Sequence, residues 1–225
     1  MYHSFPSWTR GSAKGGARVK RSVLVVFLIA EALLYGLFLF LDLQTAIDTK
    51  WLKFASILFV ALMSIYADEK LLSAALCLTA AADIFLLVLD RRYDIGIFLF
   101  ILVQLLYSLH LKSRKILCIQ IVLLIISAAL AAASRHVEAL AAGYITIFLL
   151  NLIHAGSCAF RKGTKTAILF FAGLFLFFCC DLCVGYYNIG SGFLWSFARV
   201  AMWGFYLPGQ VLILLSNIKN QGETI

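Results

Sequence analysis

Histidine is scarce in this 225-residue sequence, and no polar stretch is long enough to fold as a soluble domain. The four histidines, His3, His110, His136 and His154, lie in a terminal arm and near the ends of apolar runs. A three-histidine zinc centre would have to be gathered from those edges, so a zinc-dependent membrane hydrolase is disfavoured. No basic, aromatic-studded segment is present to hold a strand, so the net charge of +8 does not point to nucleic acid. Cys180-x-x-Cys183 has a metal-like spacing but lacks a second pair or a neighbouring histidine. Of the six cysteines, five sit in or beside apolar runs, where they read as small buried residues rather than disulfide partners. The first apolar run follows Arg10, Lys14, Arg18, Lys20 and Arg21, as in a signal peptide, but it is too long and lacks a small-x-small cleavage site. It reads as a retained helix.

What the sequence has in abundance is apolar residues. They make up 63% of the chain, with a mean hydropathy of +0.97, against about 45–50% in a soluble domain. The apolar runs cover 22–41, 52–66, 71–89, 94–111, 116–133, 137–155, 167–188 and 193–217. Each is about the length of a membrane-spanning helix, the second being the shortest. The charged or turn-like breaks between them fit tight antiparallel connections. The expected fold is all-α: a polytopic membrane bundle of about eight transmembrane helices. Residues 1–21 form a basic arm, 22–217 a single transmembrane domain and 218–225 a short tail. Thirteen of the nineteen basic residues fall on one side of this alternation, which places both termini in the cytoplasm. The expected location is the cell membrane, as a multi-pass protein, with the bilayer as its surroundings. Two segments, ending in Tyr93-Asp94-Ile95-Gly96 and Tyr187-Asn188-Ile189-Gly190, hint at a four-plus-four duplication.

Ionisable residues inside spans are costly, about 2.5–3.5 kcal/mol for a central Asp or Arg, and are kept when paired or functional. Here they are Glu31, Asp83, Asp181 and Arg199, with Gln104, Asn151 and His154 as companions. Counting from the span ends at about 1.5 Å per residue, Asp83, Asp181 and Arg199 each lie roughly 9–11 Å below the outer edge. Glu31 and Gln104 lie a little deeper. Trp195, Arg199, Trp203, Tyr206 and Gln210 share one helical stripe, as do Gly96, Phe100, Gln104, Tyr107 and Leu111. Ala80, Ala81 and Ala82 before Asp83, and Gly173 and Gly185 on the Asp181 face, leave room for close helix approach. Asn151 and His154 read as helix–helix hydrogen bonders or headgroup contacts near the cytoplasmic end.

Three readings fit these acids. Asp83 or Asp181 pairs with Arg199 and locks the bundle. Or one protonated and one ionised carboxylate carry out general acid/base work. Or the same carboxylates couple protons to transport or bind lipid in a protein without hydrolase activity.

A set of short motifs then comes together. Ala82-Asp83 is followed by Gly96-x-x-x-Phe100-x-x-x-Gln104-x-x-Tyr107, then by Cys180-Asp181 and by Tyr206-Leu207-Pro208-Gly209-Gln210. In this order they resemble the YhhN family of multipass proteins, whose characterised members are lysoplasmalogenases. The resemblance runs from about residue 70 to 217. The family carries Gly-Asp, G-x-x-x-F-x-x-x-H-x-x-Y, Ser-Asp and Y-x-x-x-Q. Here Gln104 stands where the family has histidine, and Ala82 and Cys180 precede the two acids. The resemblance implies a hydrolase that cleaves the vinyl ether of a single-chain phospholipid, with no cofactor and no metal. Asp83 and Asp181 would form the acid/base pair. Gln104, Tyr107, Tyr206 and Gln210 would orient water and the polar head, with Glu31 in support. Arg199 would hold the substrate phosphate or tune an acid.

Overall fold

The computed structural model describes residues 19–44, 48–67, 69–134, 137–216 and 218. The expectations for the basic arm before residue 19, for Arg135 and His136, and for the tail after 218 lie outside the described residues. Eight helices follow one another: α1 Arg21–Gln44, α2 Lys50–Tyr66, α3 Lys70–Asp83, α4 Tyr93–His110, α5 Arg114–Ser134, α6 Glu138–Lys162, α7 Lys165–Ile189 and α8 Phe193–Leu215. All but α2 are long and apolar enough to cross a bilayer, α3 when counted with its continuation to Val88. At 17 residues, α2 is the run that was shortest in the sequence. The protein is an integral membrane helical bundle.

The packing is that of a protein solvated by lipid. On α5 the buried residues are Gln120 and Ser127, both polar, while Ile125 and Leu130 face outward. With acyl chains outside there is no gain in turning leucine inward, and polar groups seek partners within the bundle. Small residues set the closest approaches. A methyl on Gly143 would fall 1.9 Å from the Ser127 hydroxyl, so α5 and α6 touch there. Gly173 and Gly209 do the same for α7 and α8: a methyl on Gly209 would lie 3.0 Å from the Gly173 carbonyl oxygen. Gly185, expected to serve similarly, is exposed and meets nothing within 4 Å.

Turn chemistry explains the short links. Gly163, with φ of +60°, closes α6 in the left-handed conformation that glycine adopts without a Cβ clash. The next residue, Thr164, caps α7 by accepting a hydrogen bond from the Ala167 N–H at 3.3 Å. The α7–α8 hairpin is clamped by Tyr187 stacked on Trp195 at 5.0 Å, and the Trp195 indole donates to the Tyr187 carbonyl at 3.0 Å.

Three features depart from the expectations. The sixth helix continues to Lys162, two turns past residue 155, because Ala155, Gly156 and Ala159 remain buried. Asn151 is therefore mid-helix and fully buried rather than near an end. The third span changes form directly after Asp83: residues Ile84–Val88 make a π-helical turn, closed by Leu89 N–H donating to the Ile84 carbonyl at 2.8 Å. Such turns displace a helix face locally and recur at functional sites. The two repeat-like segments are not equivalent, since Tyr93-Asp94-Ile95-Gly96 opens α4 whereas Tyr187-Asn188-Ile189-Gly190 ends α7.

Proline inside α8 has its own solution. Pro208 has no N–H, so the Gly204 carbonyl one turn earlier loses its helical partner. The Tyr35 hydroxyl of α1 donates to that carbonyl at 3.0 Å. A lipid-surrounded helix tolerates proline where a neighbour supplies the missing donor.

Candidate functional site

Two carboxylates in the bundle are each held by a tyrosine. The Tyr206 hydroxyl of α8 donates to Asp83 Oδ2 of α3 at 2.7 Å. The Tyr144 hydroxyl of α6 donates to Asp181 Oδ2 of α7 at 2.5 Å. Asp83 is buried and Asp181 half-buried. Aromatic rings join the two phenols. Phe177 packs at 5.5 Å from Tyr206 and 5.6 Å from Phe100, and Phe100 lies 6.0 Å from Tyr144. Four helices thus supply the acid–phenol pairs, and α7 and α4 supply the two rings between the phenols.

Each side chain is placed by simple periodicity. On α8, Tyr206 and Gln210 are one turn apart and both are buried. On α6, Tyr144, Phe148 and Asn151 share the inward face. On α3, Thr79 and Asp83 are one turn apart, and the π-turn begins immediately beyond. Gly96 of α4 leaves room for that turn: a methyl there would fall 2.5 Å from Leu86.

Arg199 is not with the acids. Among the described residues it makes no ion pair within 4.0 Å, and its guanidinium lies 5.9 Å from the Trp195 ring. The salt-bridge lock is therefore corrected to two tyrosine hydrogen bonds. The α8 residue that holds Asp83 is Tyr206, seven residues beyond Arg199, or about 10 Å along α8 at about 1.5 Å per residue. Arg199 instead lines a cavity of about 190 Å³ with Asp42, Asp48, Thr49, Lys53, Val200 and Met202. Lys53 is engaged there: its ammonium lies 2.7 Å from Asp42 and 4.7 Å from the Trp203 ring, and Thr49 donates to Asp42 at 2.5 Å. Asp48 sits on the rim. The Lys50 N–H, and then its ammonium, hold the Asp48 carboxyl below its usual value, so it is ionised at neutral pH.

Among the described residues, the remaining expected residues make no hydrogen bond to the carboxylates. Gln104 is fully buried, and its carbonyl oxygens, side chain and backbone, accept from Asn151 Nδ2 at 2.9 and 2.7 Å. Asn151 Oδ1 in turn accepts from Gln120 at 3.0 Å and Ser108 at 2.6 Å. Gln104 thus anchors a buried amide network across α4, α5 and α6, while its Nε2 has no partner. Tyr107 lies beside Thr79 outside hydrogen-bonding geometry and edge-on to Phe170. Glu31 is buried beside Ser56, and among the described residues neither its oxygens nor the Gln210 amide has a hydrogen-bond partner. His154 is half-buried next to Cys158 at 3.8 Å.

Sequence reasoning missed Tyr144, Phe177 and Thr79. The stripe test applied to α4 and α8 finds Tyr144 when extended to α6, since Tyr144, Ile147, Asn151 and Ala155 recur at helical spacing.

The sequence matches the family model of the YhhN family over residues 45–217, which is most of the chain. The chain belongs to the YhhN family. The match spans α2 to α8 and includes both acid–phenol pairs. Helix α1, which brings Glu31 and the Tyr35 donor, precedes the YhhN match. No curated protein and no solved structure matches the chain.

Proposed function

We propose that this YhhN protein is a membrane-embedded lipid hydrolase that cleaves the vinyl ether of lysoplasmalogens, releasing a fatty aldehyde and a glycerophospho-alcohol. One observation carries the reading. Two carboxylates from α3 and α7 are held inside the bundle, each oriented by a phenol, with Phe177 and Phe100 joining the two phenols and no cation within 4.0 Å of either acid among the described residues.

A vinyl ether is inert to base and is opened by acid. A carboxylic acid delivers its proton to the alkene carbon remote from oxygen, and the π electrons and oxygen lone pair leave an oxocarbenium ion. The second carboxylate takes a proton from water as the water oxygen bonds to the cationic carbon, giving a hemiacetal. The hemiacetal collapses to aldehyde and alcohol, returning the proton balance to its start. The pairing of one acid with one base follows glycoside hydrolysis. Tyr206 and Tyr144 fix the carboxylate planes, and the rings of Phe100 and Phe177 border the reacting region. Gln104 cannot carry a proton at neutral pH, so the proton transfers fall to the two acids. A site within a bundle suits a single-chain lipid that enters sideways from the bilayer.

The test is aldehyde release from a lysoplasmalogen by the purified protein, with Asp83→Asn and Asp181→Asn as variants. General acid/base groups contribute about 10²–10⁴-fold, so each variant is expected to lose at least about 10² in rate. Unchanged release in both variants refutes the assignment. An inert protein that shows pH-coupled flux in proteoliposomes replaces it with proton-coupled transport.

A further inference from the structure

The cavity beside Arg199 has both signs of charge and a fixed relation to the acid–phenol layer. Among the described residues, Arg199 is the cation in this lining without an acid within 4.0 Å, whereas Lys53 is committed to Asp42. Asp48, whose side chain is 63% exposed, presents an ionised carboxylate at the rim, where the exposed Lys50 ammonium lies 3.0 Å from it. A guanidinium is the side chain best shaped for a phosphate, and a rim carboxylate suits an ammonium. The volume of about 190 Å³ is below the roughly 300–1,000 Å³ of pockets that enclose a whole drug-sized ligand. It therefore takes a polar head rather than an entire lipid.

The geometry extends this. Arg199 and Tyr206 are seven residues apart, so they share a face of α8 with their Cα atoms about 10 Å apart along the axis. The Tyr206 hydroxyl donates to Asp83. In a single-chain glycerophospholipid the ether oxygen lies a glycerol's length from the phosphate, and the arginine side chain spans the rest. The order of polarity along α8, charged cavity and then acid–phenol layer, is the order along such a lipid.

We propose that the cavity lined by Arg199, Asp48, Thr49 and Lys53 is the headgroup subsite for a zwitterionic single-chain phospholipid. Arg199 holds the phosphate and Asp48 faces the ammonium. This rests on the hydrolase reading, whose scissile bond would lie at Asp83 and Asp181. The lipid sits with its head at the end of the bundle carrying the α1–α2 and α7–α8 turns.

The experiment measures binding rather than turnover, using saturated ether lipids that cannot be cleaved as vinyl ethers. Purified full-length protein in detergent is titrated with an alkylglycerophosphocholine, the alkylglycerophosphate and the phosphate-free alkylglycerol. Arg199→Gln is expected to weaken both phosphate-bearing lipids about tenfold or more and to leave the alkylglycerol unchanged, as fits loss of a charge-assisted contact. Asp48→Asn is expected to weaken only the choline-headed lipid, about two- to threefold, as fits an exposed charge pair. If Arg199→Gln cannot be purified, Arg199→Lys keeps the charge but loses the planar fork, and a loss of about threefold for the phosphate-bearing lipids is expected. Equal affinity for all three lipids in wild type, or no loss in the Arg199 variants, overturns the proposal. So does inorganic phosphate that displaces the lipids at their own concentrations, which would make the cavity a free-anion site. Arg199-dependent binding by a protein that cleaves no vinyl ether removes the hydrolase and leaves the headgroup subsite. Cleavage without Arg199-dependent binding does the reverse.

Discussion

Replacing Gly173 by alanine puts a methyl group 2.7 Å from Ile213 Cγ1, 2.8 Å from the Gly209 carbonyl oxygen and 2.8 Å from the Ile213 nitrogen. Two of these three are backbone atoms, so no rotamer change relieves the overlap and α8 must move away from α7. Overpacking of this kind costs about 1–3 kcal/mol. Against it, alanine is better than glycine in a helix interior by about 0.5–1 kcal/mol. Gly185, three turns further along α7, isolates the two effects, because a methyl there meets nothing within 4 Å. The helix-propensity gain is common to both variants, so their difference is the clash alone, about 1–3 kcal/mol. The displacement also loosens the Phe177–Tyr206 contact one turn away, and with it the support of Asp83. The assay is unfolding in mixed detergent, followed by tryptophan fluorescence and referenced to wild type. Gly185→Ala is expected at or slightly above the wild-type midpoint and Gly173→Ala clearly below it. Equal midpoints would mean that α7 and α8 do not approach as closely as the glycines indicate.

Tyr35→Phe removes the donor to the Gly204 carbonyl and is expected to destabilise the protein by about 1–3 kcal/mol. In a Pro208→Ala background the regained helical N–H takes over that carbonyl, so the same change should cost less, and additive effects in the double-mutant cycle would refute the coupling. Asn151→Leu strips the donor from both Gln104 oxygens and the acceptor from Ser108 and Gln120, an expected loss of about 1–3 kcal/mol in the same assay. Ser157→Ala, on the exposed face of the same helix, should stay within about 0.5 kcal/mol, and a comparable loss there would show that the buried network has no special weight.

The helices were legible because their boundaries are written twice, once as the end of an apolar run and once as a charged or glycine-bearing break. The one substantial extension, α6 past residue 155, occurs where the run is interrupted by Gly156, Ser157 and Cys158. Small polar residues are acceptable on a helix packed against neighbours, so local hydropathy understates that helix. The π-turn after Asp83 had no sequence signal, since Ile84–Val88 is as apolar as the α-helical residues beside it. Its cause is tertiary, the seating of Leu86 over Gly96 of α4.

The site was half legible for a related reason. Which residues face inward follows from helical periodicity, and Asp83, Gln104, Tyr107, Tyr206, Gln210 and Glu31 are all buried. Which of them meet depends on the level at which each helix begins and on which neighbour it faces, and neither is a property of one helix. Arg199 shows this. Counting from span ends does not say which residue of a neighbouring helix an acid meets: on α8 it is Tyr206, not Arg199, that donates to Asp83. The choice of partner also changes the chemistry open to the acids. A guanidinium beside them would have fixed one as a permanent carboxylate and left a single group to titrate. With phenols as partners, neither carboxyl is paired with a cation among the described residues, which is the arrangement the proposed two-carboxyl hydrolysis calls for.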